Sequence, residues 1–226
     1  MFARPLLQVA LDYLDGENVL QCGQAIQEHV DVFSVGTLLL KREGIGIIRA
    51  FKNAFPSKVI CADTKTLDLG QLEARMVFDA GADMMSVCGV ASDQTIELAI
   101  EEGRARQKQV IVDLIGVEPS YRQIKRLSYF QPDFLMIHTG VDEWKKENTL
   151  FQKIEMIARI CSIPLAFSGG IQVDDIPYLL VFQPASIVIG SAISTSSDPL
   201  SATRRFWESI HGKTLRQAWR VNHLSS

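Results

Sequence analysis

Eight short apolar runs alternate with longer amphipathic segments along the whole chain, and no long linker interrupts them; together these features predict a single-domain α/β protein folded as a (β/α)8 (TIM) barrel. A third observation favours closure of the sheet. The first run is followed by Ala10-Leu11-Asp12-Tyr13, where an open nucleotide-binding sheet often carries Gly-x-Gly-x-x-Gly. The open doubly wound sheet is the main alternative, because right-handed βαβ connections serve both folds.

The apolar runs are Leu6–Leu11, Val32–Val35, Val59–Ala62, Met84–Cys88, Val110–Leu114, Phe134–Ile137, Pro164–Phe167 and Ile187–Ile189. They are short, often β-branched and without clean polar alternation, as parallel strands covered on both faces should be. Helices are expected between them. Leu72, Met76 and Phe78–Ala80 form one apolar stripe before the Gly81-Ala82 stop, and Ile96, Ala99 and Ile100 form another. Leu150, Ile154, Ile157 and Ala158 repeat the pattern before Cys161 and Pro164. Ser92 or Asp93 suits an N-cap, and Asp198-Pro199 suits the opening of the last helix. The count is eight strands and about eight helices, at a repeat of roughly 25 residues.

The 226 residues, 47% hydrophobic and 22% charged, suit one globular domain over residues 1–226. Residues 213–226, with Lys213, Arg216 and Arg220, read as a C-terminal extension, either an extra helix or a loose tail. A net charge of -3 gives no support to nucleic acid as a partner, since phosphate-backbone binding needs a concentrated basic surface. No apolar stretch reaches the roughly 18 residues of a membrane span. Cys22, Cys61, Cys88 and Cys161 form no CxxC pair and read as reduced core cysteines, so a cytoplasmic location is expected.

Barrel enzymes carry their chemistry at the C-terminal ends of strands. Asp12, Ser34, Asp63, Lys65, Asp68, Asp113, His138 and Ser168 fall there. Asp63-Thr64-Lys65-Thr66-Leu67-Asp68 is the densest cluster. On an extended strand Asp63 and Lys65 share a face, and two carboxylates around one ammonium would keep all three ionised. Such a group can stabilise developing negative charge or move a proton; a salt-bridge network closing the rim is the structural alternative. His138 suits acid–base work, or else a structural bond to nearby backbone. His29, His211 and His223 have helical or tail contexts and receive no chemical role. Ser168-Gly169-Gly170 and Gly190-Ser191-Ala192 follow the seventh and eighth strands, the corner where barrels commonly bind phosphate. Tight turns alone are the other reading.

These residues resemble a known family. The blocks are Ala10-Leu11-Asp12, Val30-Asp31, Val35-Gly36-Thr37, Ala62-Asp63-x-Lys65-x-x-Asp68, Gly81-Ala82-Asp83, Val112-Asp113, His138-Thr139-Gly140, Ser168-Gly169-Gly170-Ile171 and Val188-Ile189-Gly190-Ser191-Ala192-Ile193. From about Leu7 to Phe206 the chain is similar to the 3-hexulose-6-phosphate synthase and 3-keto-L-gulonate-6-phosphate decarboxylase family, within the orotidine 5'-phosphate decarboxylase superfamily. The resemblance implies a homodimer with shared active sites, Asp68 reaching into the partner's site. It also implies a sugar-phosphate substrate, a 1,2-enediolate intermediate and Mg2+ as Lewis acid. The synthase branch adds formaldehyde to D-ribulose 5-phosphate; the decarboxylase branch converts 3-keto-L-gulonate 6-phosphate to L-xylulose 5-phosphate. By the same resemblance Asp63 binds the metal, Lys65 stabilises the enediolate oxygen and His138 transfers the proton. Asp12 and Asp113 orient substrate or water, and Ser168, Gly169, Gly170, Gly190 and Ser191 hold phosphate.

Two departures stand out. Ser34 occupies the place where the family usually has a glutamate ligand of magnesium, and Ser191 stands where the decarboxylase branch usually carries an arginine. The 141–148 segment, with Trp144, Lys145 and Lys146, also departs from the usual synthase pattern; either lysine could replace lost positive charge. Val112-Asp113-Leu114-Ile115 and His138-Thr139-Gly140 resemble the synthase branch more, so the leading expectation is an aldol-type lyase of that kind. The decarboxylase, an altered reaction on the same scaffold and a non-catalytic sugar-phosphate-binding protein are the alternatives.

Overall fold

Eight parallel strands close into one ring. They are β1 (Leu6–Ala10), β2 (Val32–Val35), β3 (Val59–Thr66), β4 (Met84–Cys88), β5 (Gln109–Asp113), β6 (Phe134–His138), β7 (Leu165–Ser168) and β8 (Ser186–Ile189), paired in that order, with β1 also paired to β8. The computed structural model describes residues 4–12, 15–143 and 149–212; the C-terminal extension and the lysines of the 141–148 segment lie outside them. Every expected run is a strand within one residue of its anticipated ends, except β3, which continues to Thr66.

Side-chain alternation divides each strand between two cores. Leu7, Val9, Phe33, Val35, Ile60 and Ala62 turn outward to the helices, while Val32, Cys61, Met84, Ile111, Phe134 and Met136 fill the barrel. Continued by two residues towards the C-terminal ends, the inward series reaches Ser34, Asp63, Ser86, Asp113, His138 and Ser168. The barrel interior is therefore apolar below and polar above.

Ten α-helices are present among the described residues: α1 (Gly16–Ile26), α2 (Thr37–Glu43), α3 (Gly46–Ala54), α4 (Gly70–Asp79), α5 (Asp93–Ala105), α6 (Tyr121–Tyr129), α7 (Thr149–Ala158), α8 (Ile176–Leu180), α9 (Ser191–Ser194) and α10 (Pro199–His211). The count exceeds the expected eight because β2 and β8 are each followed by two helices. The expected caps form: Ser92 accepts from the Thr95 N–H and Asp198 from the Ser201 N–H.

The stripe expected on α4 is out of phase with its packing. Leu72 and Met76 are 57% and 46% exposed, and the buried face is Gly70, Ala74, Val77 and Phe78. A Cβ at Gly70 would lie 2.0 Å from the Thr95 carbonyl oxygen, so α4 turns its small residues towards α5. Leu72 and Met76 are left facing outward.

The N-terminal rim has its own ion-pair network, in which Asp83 accepts from Lys52 and Lys108, each at 2.7 Å. No helix among the described residues is long and apolar enough to cross a membrane. Phe33, Phe51 and Phe55 pack between β2 and α3 with ring centroids 4.6–6.0 Å apart, all fully buried. Phe33→Ala should therefore destabilise the fold by about 3–5 kcal/mol, read as a lower urea midpoint with an unchanged denaturant slope.

Candidate active site

A cavity of about 300 Å³ opens at the C-terminal ends of the strands. It lies at the lower end of the range for small-molecule pockets. Asp12, Ser34, Asp63, Lys65, His138, Ser168, Gly169, Gly170, Gly190 and Ser191 all line it, and Asp113 sits fully buried just behind. Asp68 does not join them. It is exposed beyond the end of β3, where its carboxylate accepts from the Leu69 N–H at 2.8 Å.

The ammonium is thus flanked by a different pair of acids from the Asp63 and Asp68 expected. Lys65 Nζ lies 2.5 Å from Asp63 Oδ2 and 3.7 Å from Asp113 Oδ2. It also donates to Thr37 Oγ1 at 3.2 Å. The pairing of β3 with β4 shifts register between Ala62 and Thr66, and Lys65 takes φ +48° within this irregularity. A bulge of this kind re-aims a side chain but places a lysine in backbone space that L-residues rarely occupy. Strand β4 secures it. Ser86 Oγ accepts the Lys65 N–H at 2.9 Å and donates to Asp63 Oδ1 at 2.7 Å, and Cys88 Sγ donates to the Lys65 carbonyl.

Burial by itself would raise the Asp63 carboxyl; the charge and hydrogen bond of Lys65, with the Ser86 hydroxyl, outweigh it and hold the group below its usual range. Burial likewise works against the Lys65 ammonium, and Asp63, Asp113 and Asp12 more than compensate, keeping it charged. The Asp12 carboxyl moves the other way, raised by burial and by the negative charge of Asp63. The Cys61 thiol on the floor is pushed up to about 12 by burial and Asp63.

Asp12 rests over the start of α2, with the Leu38 N–H as a donor to it. Gly36 makes room: a Cβ there would lie 1.8 Å from Asp12 Oδ1. Across the cavity, Asp113 Oδ2 lies 2.9 Å from His138 Nδ1, and Asp113 Oδ1 accepts the Ile115 N–H at 2.9 Å. Fixed in this way, Asp113 holds one ring nitrogen and leaves Nε2 for other work. On the remaining side, Gly169 and Gly170 adopt φ +112° and +65°. A Cβ at Gly169 would come within 2.4 Å of the Thr139 carbonyl oxygen, so the loops after β6 and β7 are packed backbone to backbone. Gly190 and Ser191 begin α9 beside them. Lys65 is the one cation among the described residues lining the cavity.

The magnesium ion implied by the resemblance would take Asp63 as a ligand. Both oxygens of that carboxylate already accept from protein donors, Oδ1 from Ser86 and Oδ2 from Lys65. Ser34 is neutral, 2% exposed and turned towards the Cys61 thiol. Among the described residues no group of three His, Cys, Asp or Glu side chains is arranged to hold a metal ion. A hard dication wants several available oxygens, at least one or two of them carboxylate. These residues do not fit it.

Sequence reasoning missed Ser86 and gave Thr37 no role. Ser86 was legible in principle, since it has the same inward parity in β4 as Asp63 in β3, but it sits inside the apolar run Met84–Cys88. Thr37 opens α2 and reaches β3 by donating to the Asp63 carbonyl at 2.7 Å, a contact no local pattern announces. Ser86→Ala would strip a hydrogen-bond donor from Asp63 and leave the Lys65 N–H without its acceptor. It should lower stability by about 1–3 kcal/mol in urea unfolding. Ser86→Thr, which keeps the hydroxyl, should recover most of the loss.

Comparison with known proteins agrees with this architecture. The family model described as orotidine 5'-phosphate decarboxylase / HUMPS matches residues 5–206. A 3-hexulose-6-phosphate synthase of Mycobacterium gastri is 35% identical over 204 residues, 90% of this chain and 99% of that protein. A crystal structure of a 3-hexulose-6-phosphate synthase superposes with a TM-score of 0.86 at 36% identity, covering 91% of this chain and 99% of that one. The enzyme of that name from Salmonella typhimurium gives 0.88 at 31% identity, covering 91% and 98%. With the match spanning nearly the whole barrel, the chain belongs to the orotidine 5'-phosphate decarboxylase / HUMPS family.

Proposed function

We propose that the chain is a carbon–carbon lyase of the 3-hexulose-6-phosphate synthase kind, joining formaldehyde to D-ribulose 5-phosphate through a 1,2-enediolate. The observation that carries this reading is the juxtaposition of a charged lysine and an aspartate-anchored histidine in one small cavity, opposite a glycine-lined corner. Backbone N–H groups around Gly169, Gly170, Gly190 and Ser191 would hold the phosphate, with Ser168 at the same edge. His138, its Nδ1 proton directed at Asp113, takes a proton from C1 of the sugar through Nε2. The electron pair moves into the C1–C2 bond, and the negative charge on the C2 oxygen is met by Lys65. Asp12 orients the sugar hydroxyls. C1 then attacks the formaldehyde carbon, a carbon–carbon bond forms, and the new alkoxide takes the proton back from His138.

The decarboxylase alternative places carbon dioxide loss before the same enediolate, so the two are separated by a paired assay. Formaldehyde consumption with D-ribulose 5-phosphate should be observed, and carbon dioxide release from 3-keto-L-gulonate 6-phosphate should be slower or absent. Silence in both arms would defeat the lyase reading in favour of a binding protein. Lys65→Ala should lower turnover at least about 10²-fold, and near-normal turnover would remove Lys65 from its role.

The free state of all four cysteines suits a reducing compartment, and we place the protein in the cytoplasm. We further propose a homodimer. Leu67, Leu69, Leu72 and Met76 are 46–60% exposed on either side of Asp68, an apolar surface of the kind that marks an interface. A second copy seated there would bring Asp68 to the partner's cavity. Leu72→Glu should therefore give a monomer in analytical ultracentrifugation and lose activity together with the dimer; an active monomer would refute the shared site.

A further inference from the structure

We infer that this chain stabilises the enediolate with the Lys65 ammonium and neutral hydroxyls, and that its resting site holds no tightly bound divalent cation. The inference rests on the sugar-phosphate reading only for the identity of the charge being stabilised. Three features of the polar layer lead to it.

First, the inward residue that β2 contributes is Ser34, with a hydroxyl where a second carboxylate would be needed to share a dication with Asp63. That hydroxyl is buried and turned to Cys61, paired in register with Ser34 across β2 and β3. Second, the space in front of Asp63 is already held by a cation. Lys65 Nζ stands 2.5 Å from Oδ2, so an approaching dication would meet a like charge as well as the carboxylate. Third, the other carboxylate oxygen, Asp63 Oδ1, already accepts from the Ser86 hydroxyl at 2.7 Å, and the Thr37 hydroxyl lies 3.2 Å from Oδ2.

The test uses Mn2+ alone, titrated into the substrate-free full chain and followed by the electron paramagnetic resonance signal of the free ion. The wild-type chain should retain no stoichiometric Mn2+. Ser34→Glu, which restores a carboxylate, should bind Mn2+ at least about tenfold more tightly. In parallel, exchange of the C1 proton of D-ribulose 5-phosphate with D2O should proceed at the same rate in EDTA as in Mg2+, read by NMR. One Mn2+ bound per wild-type chain and released by Asp63→Asn would overturn the inference, as would exchange that stops in EDTA. Should circular dichroism show Ser34→Glu to be misfolded, the wild-type titration decides by itself. Absence of exchange under both conditions would count against the proposed reaction, and the Mn2+ titration would still judge the metal.

Discussion

The ammonium of Lys65 must stay charged inside a half-enclosed cavity, where burial acts to remove its proton. Asp63 and Asp113 prevent this, and their own placement fixes much of what surrounds them. Asp63 is held by Ser86 and Thr37 from the neighbouring elements, and Asp113 by the Ile115 N–H and the His138 ring. The histidine is therefore anchored to the acid that also faces the lysine. At the irregular end of β3, Ser86 and Cys88 fasten the Lys65 backbone while its Nζ rests on Asp63.

Much of the fold could be read from the chain, because strands buried on both faces leave compact apolar runs with few competing interpretations. The departures have physical causes. Strand β3 runs on through Asp63-Thr64-Lys65-Thr66, a sequence too polar to read as strand; contacts with β4, such as Thr64 Oγ1 donating to the Ser86 carbonyl, keep it extended. On α4 the apolar pattern was visible but its orientation was not. The close approach at Gly70 depends on the position of α5, which local periodicity does not encode.

The candidate site was legible to the extent that its residues sit at strand ends. Asp12, Asp63, Lys65 and His138 do converge, with Asp113 buried against His138, as do Gly169-Gly170 and Gly190-Ser191. Asp68 does not converge with them. Its spacing from Lys65 invites a local ion pair, yet the chain leaves the strand after Thr66 and carries it to the surface. Ser86 shows the converse, a polar residue hidden among apolar neighbours whose importance appears only once β3 and β4 are placed side by side. Strand parity across the ring would have been the better guide than polarity along the chain.

Closure of the ring has a consequence for how such a cavity comes into being. Asp12 follows the first strand and Gly190 the last, and the two meet only because β1 pairs with β8 across 180 residues of sequence. Contacts of such long sequence separation form late and slowly. A nascent chain emerging from the ribosome would thus carry Lys65, Asp113 and His138 well before it could bind ligand. Any sugar phosphate that recognises the finished cavity would act as a selective ligand of the closed barrel, drawing the final strand into place by mass action.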